Sequence, residues 1–179
     1  LVGGDRLEVE ARLGPGSHAL LTTPGATRWY RSGGEDATQQ VRLQVGEGAR
    51  LEWLPLEAIL YNGCVAENRL CFELAPGAEL MAWDVTALGL PHANQPFAFG
   101  TFRQHIELPG IWLERAMIDA QDNRLLTSPV GLAGQHCVAS FFFAAGQPIG
   151  RERKDLALEL ARQILKDHAL APSAGVTCV

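Results

Sequence analysis

Three carboxylates fall where the surrounding chain is apolar. Asp5 follows Gly3-Gly4 at the start of a first alternating segment, Asp84 interrupts the apolar run Leu80 to Val85, and Glu114 lies within Ile111 to Ile118. A carboxylate in a strand of core character needs a counter-charge, a water or an ion. The ordinary account is a salt bridge to Arg28, Arg31 or Arg115, or a side chain that simply faces solvent. Recurrence in three strands adds some weight to a ligand role.

Soft-ligand chemistry has less support. His136-Cys137 is the one adjacent pair, and a free cysteine leading an apolar strand ordinarily belongs to the core. His18, His92, His105 and His168 stand alone and read as turn or surface residues. No stretch reads G-x-x-x-x-G-K-[ST], G-x-G-x-x-G or G-x-S-x-G, so nucleotide use and hydrolase chemistry have no local basis. Trp29-Tyr30-Arg31 reads equally as a binding patch or as the anchor of one coil to its neighbour.

The elements that position these residues follow a repeat. Gly16, Gly48 and Gly77 are 32 and 29 positions apart, and apolar residues stand seven, five and three places before each: Val9, Ala11 and Leu13; Val41, Leu43 and Val45; Leu70, Phe72 and Leu74. Ala19, Leu51 and Leu80 stand three places after. Alternation into a glycine turn and out again predicts hairpins, and the spacing predicts stacked repeats. A fourth hairpin is expected around Pro109-Gly110, shifted by one residue, and Asn62-Gly63 suits another tight turn. Gly89 to Gly100 reads as a loop, Leu125-Leu126 as a short strand and Cys137 to Ala144 as a buried strand. In Leu80 to Val85 the bulkier set, Met81, Trp83 and Val85, is expected between layers, with Asp84 on the opposite face. From Glu152 to His168, Leu156, Leu160 and Ile164 recur every four places, which predicts one amphipathic helix. The expected fold is mainly β, a stacked-layer, β-helix-like body with a C-terminal amphipathic helix, in a single domain over residues 1–179.

Composition sets the outer limits. With 179 residues, 47% hydrophobic and 20% charged, the chain is globular in character, and its net charge of -5 argues against a nucleic-acid surface. The apolar run Val138 to Gly146 is too short to span a bilayer. Cys64, Cys71, Cys137 and Cys178 form no C-x-x-C pair, which fits reduced thiols in a cytoplasmic protein. Leu1 is not an initiator Met, and the opening LVGGD reads as the middle of a longer chain.

Five ordered motifs carry a resemblance: LVGGD at Leu1 to Asp5, LLTTPGATRWYRS at Leu20 to Ser32, LEWLPLEAILYNG at Leu51 to Gly63, AWDVTALGLP at Ala82 to Pro91 and SPVGLAG at Ser128 to Gly134. Together they resemble the UreD (UreH) family of urease accessory proteins. The resemblance implies a non-enzymatic role. Family members bind the helical accessory protein UreF, recruit the GTPase UreG through it, and dock on apo-urease so that nickel reaches the active site. It implies a β-helix-like fold with two helices and a chain that continues at both ends. Matched motif by motif, polar residues proposed to line a nickel passage fall on Asp5, Thr27, Asp84 and Glu114, with nickel in transit and no tightly bound cofactor. Some relatives carry an acid where this chain has Arg6. Oxygen ligands would hold this borderline ion less tightly than Cys or His sets, as a carrier requires. Without the resemblance, the residues read as a non-catalytic β-solenoid module that binds a protein or carbohydrate partner.

Overall fold

A glycine that admits a left-handed backbone marks the same corner of each coil. Gly16, Gly48 and Gly77 have φ of 66°, 63° and 70°, and nothing but open space surrounds the Cβ that Gly48 lacks. At each of these corners the chain leaves one sheet and enters another. The computed structural model describes residues 1–178, which divide into a unit ending at Gly146 and a second beginning at Gln147.

In the first unit, β1 (Arg6–Leu13), β4 (Ala37–Val45), β7 (Cys64–Leu74) and β10 (Gly100–Leu108) pair in parallel, and β11 (Trp112–Asp119) closes the edge antiparallel. The second sheet holds β2 (His18–Leu21), β3 (Thr27–Trp29), β5 (Arg50–Trp53), β6 (Ala58–Leu60) and the long β8 (Glu79–Leu90). Along β8, Glu79 to Ala82 pair with β5 and Thr86 to Leu88 with β6, while β12 (Cys137–Ala145) adds an antiparallel edge. The result is a β-solenoid of about three turns. Its register is the one the repeat implies, since Val9, Val41 and Leu70 are neighbours across strands, as are Ala11, Leu43 and Phe72, and Ala19, Leu51 and Leu80.

The three hairpins expected around these glycines do not form. Strands before and after each turn lie in opposite sheets, and the turns bond to one another: Gly16 N–H donates to Glu47 O at 2.8 Å, and Gly48 N–H to Pro76 O at 3.3 Å. Period-two alternation fixes which side chains point inward, which is the same for a hairpin and for an arch that spans the core. Asn62-Gly63 likewise joins β6 to β7 across sheets. Of the expected hairpins, the one at the shifted turn Pro109-Gly110 does form, between β10 and β11.

Three further expectations are corrected. Leu125-Leu126 lies in the short helix α1 (Asn123–Thr127), because the Asp122 side chain accepts from Leu125 N–H at 3.0 Å and so caps a helical turn. Cys137 to Ala144 is not fully buried, since alternate residues of β12 face outward. The segment Gly89 to Gly100 is only partly loop, with β8 running to Leu90, a 3₁₀ turn at Pro91–Ala93 and the two-residue strand β9 (Gln95–Pro96). In the second unit, α2 (Arg151–Lys166) places Glu152 in its first turn and Lys166 in its last, both favourable to the helix dipole. No helix among the described residues is long and apolar enough to cross a membrane.

The stacking can be tested at adjacent glycines. Gly48→Ala meets only the left-handed backbone and should cost about 1 kcal/mol. Gly46→Ala would place a methyl 2.6 Å from Leu13 O and should cost clearly more, and Phe72→Ala, fully buried, about 3 to 5 kcal/mol. Urea denaturation of the three variants checks the order.

Candidate functional site

Apolar residues inside the stack form two separate clusters. One contains Val41, Leu43, Phe72, Leu80 and Ile106; the other contains Trp29, Ala66, Leu88, Phe102 and Ile118. The inward rows of β4, β7 and β10 pass from the first cluster to the second through Gln39, Asn68 and Gln104, which are register neighbours. Facing them, β8 passes from Ala82 through Asp84 and Thr86 to Leu88. Asn68, Thr86 and Gln104 are the buried polar residues among those described, and all three lie in this layer.

Within the layer the contacts converge on Asp84. Gln39 Nε2 donates to Asn68 Oδ1 at 3.1 Å, and Asn68 Nδ2 in turn faces Asp84 Oδ1 at 3.4 Å. Thr86 Oγ1 donates to Asp84 Oδ2 at 3.3 Å. Burial pushes the Asp84 carboxyl above the ordinary carboxylate range; the Gln104 amide and Thr86 hydroxyl oppose this, and the charge of Glu114 adds to it. Glu114 reaches the layer from β11 and is also raised by burial, with Ser140 of β12 favouring its ionised form. Ser140 is the register partner of Asp84. Neither acid takes part in an ion pair among the described residues; such pairs, for example Arg103 with Asp36, involve other groups.

The expected orientation of this strand is reversed. Leu80 and Ala82 are fully buried, whereas Met81 and Trp83 are 39% and 36% exposed, so Asp84 shares the inward face. Residue bulk misled here, because Trp83 lies on the outer face and donates its indole N–H to Pro55 O at 2.6 Å. The Leu80 row, aligned with Ala19 and Leu51, was the better guide. Trp29 is fully buried and stacks edge-on against Phe102, which makes it a core anchor, while Tyr30 packs on Tyr61 at 4.9 Å.

Of the four expected site residues, Asp84 and Glu114 come together. Thr27 is half-buried on β3 and belongs to the row Thr27, Ala58, Thr86, two strands away from Asp84's hydroxyl partner. Asp5 is exposed just ahead of β1, where its Oδ2 accepts from Val2 N–H at 2.8 Å and its carbonyl from Thr38 N–H. It does not join the acids on β8 and β11. Gln39, Asn68, Thr86, Gln104 and Ser140 were missed. The repeat carried a signal for two of them, since Gln39 and Asn68 stand nine places before Gly48 and Gly77. Among the described residues no three His, Cys, Asp or Glu side chains are placed to hold a metal ion together. The layer instead offers two acids among amides and hydroxyls.

A raised carboxyl pKa works against folding once the group ionises. Its favourable contribution is complete below the unfolded carboxylate value of about 4 and is lost as pH rises through the raised folded value. Asp84→Asn should therefore be more stable than the parent at pH 7, with the advantage fading as pH falls towards about 4. Urea denaturation across this range checks it, and a loss of stability at pH 7 would reveal a cationic partner for Asp84.

Comparison with known proteins places this chain in a family. The profile of the UreD urease accessory protein family matches residues 1–179. The urease accessory protein UreD of Albidiferax ferrireducens is 68% identical over 178 residues, and those of Polaromonas naphthalenivorans and Variovorax paradoxus are 60% and 59% identical over 177. Each match covers 99% of this chain and 64% of the relative, so the chain spans just under two thirds of the length of these proteins. The chain belongs to the UreD family of urease accessory proteins.

Proposed function

We propose that this protein is a non-catalytic scaffold and nickel conduit in the maturation of urease. In this reading it works in the cytoplasm, binds a UreF-type accessory protein, gathers a UreG-type GTPase through it, and docks on apo-urease. Nickel is cargo and not a resident cofactor. Family membership supports the maturation role, and one observation carries the conduit: the desolvated carboxyl of the half-buried Asp84, held by neutral groups in the polar layer between two apolar clusters.

The chemistry suits transfer. Carboxylates, amides and hydroxyls are hard oxygen donors that bind a borderline divalent ion more weakly than thiolate or imidazole sets. Along the stack, Asp5 and Thr27 belong to the first coil, Gln39 to the second, and Asp84 and Glu114 to its far end, so polar groups recur at successive levels. Strand neighbours are about 4.8 Å apart, a step that an ion exchanging ligands can take.

The test is Asp84→Asn in the full-length protein, co-expressed with urease and the other accessory proteins. Binding to UreF and apo-urease should be unchanged, while nickel content and activity of the matured urease fall several-fold. A variant that activates urease as well as the parent overturns the conduit. Failure of the parent to co-purify with apo-urease overturns the scaffold.

A further inference from the structure

Gln104 differs from every other member of the polar layer. It is 7% exposed, and neither its Oε1 nor its Nε2 makes a hydrogen bond although both atoms are buried. A buried carboxamide without one well-formed hydrogen bond is costly and calls for an explanation such as an ion. Its neighbours are better satisfied. The Asn68 carbonyl already accepts from Gln39, which leaves Asn68 to present its N–H side to Asp84. Gln104 lies close enough to Asp84 to favour its ionised form, yet without a well-formed hydrogen bond. On β11 its register neighbour is Ala116, which is small and exposed, and the half-buried Glu114 stands two residues before Ala116 in the same alternating row.

Two acids do not complete a divalent site, and no third acidic, imidazole or thiolate side chain among the described residues is placed to help. Remaining donors must then be neutral oxygens. We infer that Gln104 Oε1 is a direct ligand of the divalent transition-metal cation that Asp84 receives, the two forming an all-oxygen contact in which Asn68 and Thr86 hold the carboxylate in position. This rests on the conduit reading above. Asp84 supplies the charge and is fixed by its neighbours, whereas the Gln104 amide makes only a loose approach to Asp84, short of a well-formed hydrogen bond, and turns about a broad terminal torsion. It is therefore the ligand that can let go. A carboxylate at this position would add charge and retain the ion.

The experiment is equilibrium dialysis of the tag-free, full-length protein against Ni²⁺, comparing the parent with Asp84→Asn, Gln104→Leu and Gln104→Glu. Gln104→Leu removes no well-formed hydrogen bond, only the loose approach to Asp84, so it should still fold, and its Ni²⁺ affinity should fall about tenfold. Gln104→Glu should bind more tightly than the parent. If Asp84→Asn loses Ni²⁺ while Gln104→Leu binds as the parent does, Gln104 is not a ligand and the conduit stands without it. If the parent binds no Ni²⁺, or neither substitution changes binding, the conduit reading falls and this inference with it. Should Gln104→Leu fail to fold, Gln104→Glu decides, with unchanged or weaker binding overturning the proposal.

Discussion

Parallel, in-register hydrogen bonding between coils is the constraint on which the rest of this structure depends. Residues Thr38 to Val45 of β4 lie in register between their equivalents in β1 and β7, so like positions form rows along the stack. A slip of one residue would turn Val41, Leu43 and Val45 outward together, which the burial of the whole row forbids. The same rule governs polar positions. Once Gln39 points inward, Asn68 and Gln104 must lie beside it, and polar groups accumulate in one layer.

Such a row is tolerable because its members can partly satisfy one another. The bond from Gln39 to Asn68 links adjacent coils, and Asn68 passes the chain of contacts to Asp84. The sequence also ends the parallel stack at one side. β11 and β12 arrive antiparallel on the last strands of the two sheets, and they bring Glu114 and Ser140 to the level of Asp84. The elements that cover the β10 and β8 edges thus also complete the polar layer.

Rows were legible in the sequence, and partners were not. The apolar positions around Gly16, Gly48 and Gly77 predicted the cross-coil register residue by residue, because burial and repeat length leave a direct trace in residue type. Whether a strand pairs with its successor or crosses the core leaves none, and hairpins were expected where arches form. Trp83 shows a related limit. Its size suggested the interior, but an indole that packs along an outer face and bonds to Pro55 O is also satisfied. Asp84 and Glu114 stood out as acids among apolar residues, whereas Asn68 and Gln104 are uncharged and pass unnoticed until the rows are aligned. Asp5 lay in a recognisable motif, yet it serves the turn before β1 and is not brought to the other acids.

The energetics of the layer bear on what it is for. A desolvated carboxyl and an unpaired amide both oppose folding, and two apolar clusters flank them and must offset that cost. A salt bridge from an arginine would relieve the acid but would also occupy it. With neutral neighbours, Asp84 keeps its capacity to accept a cation, and in the proposed conduit an incoming ion would relieve the carboxyl and the Gln104 carbonyl oxygen at once. In the proposed conduit, part of the ion's binding energy would offset strain that already exists in the fold, and on release the strain would return. An interior left partly unsatisfied is in this way suited to a ligand that must enter and leave.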